Sequence, residues 1–170
     1  MNDGKISGVV RSIHADHLEL EIQKAKPAGS RLRADKGINF PDSDIRMPGL
    51  TRADRKSLEF VVKHADAVSL SFVRRPEDVV ELQEELERLG ATDIGIVLKI
   101  ETKRAFRHLP RLLLTAMRRY PAAVMIARGD LAVEAGWGRL AELQEQLLWV
   151  SQAAQLPVIW PTQVLEGKTK

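Results

Sequence analysis

Apolar and polar residues alternate near the start of the chain. Leu18, Leu20 and Ile22 are separated by Glu19 and Glu21, the period-two pattern of a half-buried antiparallel strand. The run 6–13 is predicted to pair with it through a turn at His14-Ala15-Asp16-His17, and Asn2-Asp3-Gly4 signals a further turn. "KPAGSRLRADKG", residues 26–37, is rich in Pro, Gly, Ser and charge and reads as a connection.

Beyond residue 36 the pattern changes. Short apolar runs alternate with longer stretches of helical period. Residues 37–40 form a short strand candidate, and "DAVSLSFV" (66–73), "DIGIVLKIE" (93–101), "AAVMIARGD" (122–130) and "LPVIWPTQV" (156–164) are clearer ones. They are apolar almost throughout, as parallel strands buried on both faces are. A first helix opens at Thr51, with Asp54 three residues on in a capping-box arrangement, and runs through Leu58, Val61 and Val62. A second has Pro76 in its first turn, Gly90 past its end, and a stripe of Val79, Val80, Leu82, Leu86 and Leu89. A third is expected over 103–118 with a break at Pro110, and a fourth over 138–154. Strand and helix alternate at about 30 residues per unit, which is repeated βαβ and a parallel sheet. No glycine fingerprint of a dinucleotide-binding fold follows an early strand, which favours barrel units. The fold class expected is therefore α/β: a partial (β/α)8 TIM barrel with a short N-terminal antiparallel β segment. It is partial because about five such strands fall short of the eight a closed barrel needs.

Ligands of α/β folds sit at the carboxyl ends of the strands. Those ends carry Ser71, Phe72 and Arg74; Lys99 and Glu101; Arg128, Gly129 and Asp130; and Thr162 and Gln163. Lys99 and Glu101 are two apart on one predicted strand, and so are Arg128 and Asp130, so each pair is expected to share a face. Two carboxylates from neighbouring strands suit a hard divalent cation such as Mg2+ or Mn2+. A lysine beside it suits a developing enolate or a transferring phosphoryl group. Gly129 allows a backbone N–H to approach a ligand. Each strand end taken singly reads more readily as a solvated salt bridge or as turn chemistry than as a site; it is their convergence that points to a site.

Composition narrows the class. The chain has 170 residues, 44% hydrophobic and 29% charged, with a net charge of +3, so an ordinary folded protein is expected. Basic and acidic residues are interspersed, and no basic stripe with interleaved aromatics argues for nucleic acid. With no cysteine, thiolate chemistry is excluded, and a cytoplasmic location is expected. No export signal or membrane span is expected. His14 and His17 flank the predicted turn, but a histidine pair makes a poor metal site without further partners. "EGKTK" fails as a phosphate loop, because the required first glycine falls at Thr162. Trp137, Trp149 and Trp160 are expected in the core or at a helix–sheet contact.

Five stretches in order, "KGINFP" (36–41), "LSFVR" (70–74), "LKIE" (98–101), "ARGDLAVE" (127–134) and "PTQVLE" (161–166), resemble the pyruvate kinase family. "NDGKISGVV" is similar to the closing hairpins of that family's small β-barrel lid. The resemblance implies a lid remnant over 1–35, a partial TIM-barrel domain over 36–170, and phosphoryl transfer between phosphoenolpyruvate and ADP, giving pyruvate and ATP. It implies Lys99 and Thr162 as catalytic residues, with Thr162 near the enolate carbon. It implies Glu101 and Asp130 as ligands of Mg2+ or Mn2+. Gly129, Asp130, Thr162, Phe72 and Arg74 would be at or beside the substrate, and a potassium ion would serve the complete enzyme.

The sequence departs from the family at Ala132, where glycine is usual, and at Trp160-Pro161, where a small residue precedes Thr162. The family's first two barrel strands, eighth strand, most of the lid and C-terminal domain have no counterpart in it. The expectation is a piece of a pyruvate kinase-like protein or a truncated relative. Its uncovered sheet edges would be met by self-association or by the missing segments, and it would bind a divalent metal weakly with little turnover alone. Two alternatives stay open: a metal-dependent pyruvate-enolate lyase or aldolase of the same barrel group, and a non-catalytic pyruvate kinase-like module.

Overall fold

The computed structural model describes residues 1, 4–32, 37–43, 47–119 and 121–161. The chain divides into two compact units, Met1–Phe40 and Pro41–Lys170.

The first unit is a hairpin. Strand β1 (Ser7–Ile13) pairs antiparallel with β2 (Leu18–Lys24), with register shifts between Ser7 and Gly8 and between Val10 and Ser12. The four-residue turn between them is closed by the His14 N–H donating to the His17 carbonyl at 2.9 Å. The pairing and the turn are those predicted. The expected half-burial is not found: every residue of β2 is exposed, including Leu18, Leu20 and Ile22. Alternation gives the strand two faces, but among the described residues of this unit no second layer covers the apolar one.

The second unit alternates helix and strand. Helix α1 (Arg52–His64) starts on the predicted capping box: the Asp54 N–H donates to Thr51 Oγ1 at 3.1 Å, and the Thr51 N–H donates to the Asp54 carboxylate at 2.8 Å. Strand β3 (Ala67–Leu70) follows, then helix α2 (Pro76–Arg88) with Pro76 in its first turn and Gly90 at φ +71° beyond its end. Strand β4 (Gly95–Ile100) leads into α3 (Lys103–Arg107) and α4 (Leu109–Ala116), so the helix expected over 103–118 is broken at His108, just before Pro110. Strand β5 (Ala122–Ile126), helix α5 (Arg128–Ala135), a 3-10 turn (Trp137–Arg139), helix α6 (Leu140–Ala153) and strand β6 (Val158–Ile159) complete the order. Residues 37–40 form no strand.

The sheet order is β3-β4-β5-β6, all parallel. Its two faces differ. Val68 and Leu70, Ile96, Leu98 and Ile100, and Ala122, Val124 and Ile126 lie in register on one face. Nearly all are buried, and they join Leu82, Leu86, Leu112, Leu113, Leu131 and Leu147 from the helices in one core. The opposite face carries Ala67 and Ser69, Val97 and Lys99, Ala123 and Met125, and Ile159. Of these only Val97 is buried. The expectation of strands covered on both faces therefore holds along the middle of β4 and fails for β5, whose burial alternates.

Helices α1 and α2 are tied by charge. Arg55 donates to Glu81 and, at 2.6 Å, to Glu85; Arg88 donates to the other Glu85 oxygen at 2.6 Å. The hydrogen bond from Arg88, with the second from Arg55, holds the Glu85 carboxyl below its ordinary range against the opposing effect of burial. The three tryptophans are not in the core: Trp137, Trp149 and Trp160 are 74%, 61% and 49% exposed. Trp137 opens the 3-10 turn, Trp149 lies on an exposed face of α6, and Trp160 follows the end of β6.

Candidate active site

Lys99 is the last residue of β4 on the face turned away from the helices, and Glu101 follows directly after the strand. Strand geometry brings both to one side, and Lys99 Nζ lies 2.9 Å from Glu101 Oε1. Glu101 is buried to 1% exposure, a costly place for a carboxylate unless donors surround it. The second donor is the backbone N–H of Phe72, which donates to Glu101 Oε2. Phe72 sits just past β3 at φ +51°, the left-handed region that a bulky side chain rarely adopts. This turn aims a peptide N–H at the neighbouring strand end. Lys99 also donates to Ser71 Oγ at 2.9 Å. Ser71, Phe72, Lys99 and Glu101 thus form one connected group across the carboxyl ends of β3 and β4.

The next strand end is adjacent. Ile100 pairs with Ile126, and the Ala127 N–H donates to the Ile100 carbonyl at 3.3 Å. The chain then turns into α5 at Arg128. Arg128 and Asp130 are therefore not a same-face strand pair, as the spacing suggested. They occupy the first turn of a helix, where residues two apart point in different directions. An apolar strand followed by Arg-Gly-Asp is equally the pattern of a strand ending and a helix beginning. Gly129 is exposed, and a Cβ built there meets nothing within 4 Å. Packing therefore does not require the glycine, and the space in front of it is open. Arg128 lies over the Trp160 ring, 5.8 Å from its centroid. The Trp160 indole N–H donates to Gln144 at 3.2 Å.

Arg74 is engaged elsewhere. It donates to the Met47 carbonyl at 2.7 Å, and its guanidinium lies 3.8 Å from the buried Asp78. Thr162 and Gln163 lie outside the described residues.

A family model described as "Pyruvate kinase, barrel domain" matches residues 1–170. The chain belongs to the pyruvate kinase family. It is 34% identical over 168 residues to the pyruvate kinase of Bacillus licheniformis, covering 98% of this chain and 28% of that protein. It is 32% identical over 150 residues to that of Thermotoga maritima, covering 88% of this chain and 31% of that protein. With pyruvate kinase 1 of Saccharomyces cerevisiae it shares 34% identity over 170 residues, covering 99% of this chain and 32% of that protein. The chain thus spans about a third or less of the length of the curated relatives it matches.

For this member of the pyruvate kinase family, Lys99, Glu101 and Phe72 are in direct contact. Gly129 and Asp130 begin the element after the adjoining strand, and Arg74 braces the start of α2. Phe72 contributes its backbone N–H, with its ring half exposed. Ser71, the hydroxyl that holds Lys99, was visible only as one polar residue at a strand end. A β3–β4 pairing in which Leu70 opposes Leu98, carried one residue further, brings Ser71 opposite Lys99.

Proposed function

We propose that this chain supplies the metal- and enolate-binding side of a pyruvate kinase, acting on phosphoenolpyruvate and ADP to give pyruvate and ATP in the complete enzyme. The observation that carries the proposal is the buried Glu101 carboxylate held between Lys99 and the Phe72 N–H at adjoining strand ends. A carboxylate has about four lone-pair positions, and two remain after these contacts. That donor set suits a hard divalent cation, with Glu101 and Asp130 as its protein ligands and waters and substrate oxygens completing the shell. When bound, Mg2+ or Mn2+ would supply charge neutralisation at the transferring phosphoryl group.

In this reading the phosphorus–oxygen bond to the enol oxygen breaks as a β-phosphate oxygen of ADP bonds to phosphorus. Lys99 lies beside the oxygens that gain charge. Its ammonium is fixed in advance by Ser71 and Glu101, so little reorganisation accompanies the step. The first turn of α5 offers N–H groups with no intrahelical acceptor, and the open space at Gly129 allows the substrate carboxylate to approach them. Thr162 is assigned near the enolate carbon, where a proton is gained, on the strength of the family motif. Phe72 and Arg74 act by positioning: one holds Glu101 and the other steadies the turn before α2.

The sheet lends support to a partial (β/α)8 barrel for residues 36–170. The face carrying Lys99, Met125 and Ile159 in register has Ala67, Val97 and Ala123 beside the polar Ser69 and Lys99, and it is incompletely covered, as the inner face of an unclosed barrel would be. Residues 1–35 are assigned to the lid domain.

A second reading, a non-catalytic module, is favoured by Trp160. Its ring stacks on Arg128 beside Gly129, at a position where the family has a small residue. The discriminating experiment is calorimetric titration of phosphoenolpyruvate into the protein with and without Mg2+. The catalytic reading predicts binding that requires Mg2+ and is lost in Lys99→Met. Binding indifferent to both, or none at millimolar substrate, contradicts it.

A further inference from the structure

We propose that the tip of the β1–β2 hairpin is a site for a divalent transition ion of the zinc class, unconnected with the Mg2+-type chemistry assigned to Glu101. His14, His17 and Glu19 each present one ligand atom, and the three atoms lie within 4.8 Å of one another. The hairpin makes this cluster. The turn places both histidines on one short loop, their rings stacked at 4.3 Å with 11° between planes. Register then brings Glu19 alongside, and His14 Nε2 lies 4.0 Å from Glu19 Oε1. Two ligands about 2 Å from a tetrahedral ion are about 3.3 Å apart, so small side-chain rotations close the set.

Two further residues orient the ligands. His17 Nδ1 lies 2.7 Å from Asp16 Oδ1. With Nδ1–H donating there, Nε2 keeps its lone pair for an ion, the carboxylate–histidine arrangement common behind metal sites. Ser12, the register partner of Glu19, donates its hydroxyl to Glu19 Oε2 and leaves Oε1 turned toward His14. Ligand chemistry sets the class. Two imidazoles and a carboxylate favour Zn2+, Ni2+ or Cu2+ over Mg2+ or Ca2+. Three protein ligands leave a fourth position for water.

The test is Zn2+ titration into the 170-residue chain by calorimetry, with the histidine ring resonances followed by NMR. One equivalent of Zn2+ is expected to shift His14 and His17 and leave His64 and His108 unmoved. His14→Ala and His17→Ala are each expected to weaken binding about tenfold or more. Asp16→Asn and Ser12→Ala, with all three ligands intact, are expected to weaken it by about tenfold. A tenfold excess of Mg2+ should not displace the ion. All these positions are at the surface of the hairpin, and an unchanged backbone spectrum verifies that each variant folds. Equal Zn2+ affinity in the His14→Ala/His17→Ala double variant, or shifts confined to His64 and His108, would overturn the proposal.

Discussion

Lys99 Nζ lies 2.9 Å from Glu101 Oε1 at the end of β4, while the N–H of Phe72, just past the neighbouring β3, donates to the other carboxylate oxygen. The carboxylate is buried and the ammonium half-buried. A charge so placed depends on its donors: removing one leaves the other group unsatisfied, at a cost of about 1–3 kcal/mol. Lys99→Met is expected to lower stability in urea by that order, and Glu101→Gln alone by a similar amount. The double variant is expected to recover part of the loss. A double-mutant cycle checks this; additive losses would show that the two groups do not interact.

Phe72 supplies a backbone bond from a left-handed conformation, so its side chain is expendable and its N–H is not. Phe72→Gly adopts that φ without strain and keeps the donor, so stability is expected to stay within about 1 kcal/mol of wild type. Phe72→Pro removes the N–H and is incompatible with positive φ, with an expected loss of about 3 kcal/mol or more. Thermal or urea unfolding of both variants decides it, and equal effects would be the wrong result.

Glu85 predicts a pH dependence. Its folded-state carboxyl is held below the ordinary range, chiefly by Arg88. Between the folded value and the unfolded one, about 4.3, the unfolded chain binds more protons, so stability rises with pH there. The contribution is complete above about 4.3 and fades as pH falls through the folded value. Glu85→Gln is expected to flatten the stability curve in that acid window and leave its shape near neutrality unchanged. Urea midpoints measured from pH 3 to 7 for both proteins test the sign.

Leu112, on α4, is fully buried in the core beneath the sheet. Leu112→Ala is expected to cost about 2–5 kcal/mol, whereas the same change at exposed Leu114, two residues on, should cost well under 1 kcal/mol. Denaturation midpoints of the pair test which face of α4 carries the core.

Much of this was legible in the residues. The capping box at Thr51, the Pro76–Gly90 frame of α2 and the break before Pro110 are local signals, and local geometry honours them. The shared face of Lys99 and Glu101 follows from strand periodicity; their contact does not. What failed was less local. "IARGD" reads as the end of one strand because an apolar run does not mark its own end, whereas α5 begins where the polar residues do. The exposure of β2 and of the three tryptophans depends on which layers surround them, which alternation cannot specify. The Phe72 N–H, as a backbone group in an unusual conformation, leaves no trace in residue type.

The most direct measurement is Mn2+ binding followed by electron paramagnetic resonance, performed in the His14→Ala/His17→Ala background so that the hairpin contributes nothing. The account predicts weak Mn2+ binding displaced by Mg2+, and about tenfold weaker binding in Glu101→Gln and in Asp130→Asn, each verified as folded by circular dichroism. Mn2+ affinity unchanged by both substitutions would contradict the assignment of these strand ends as a metal site.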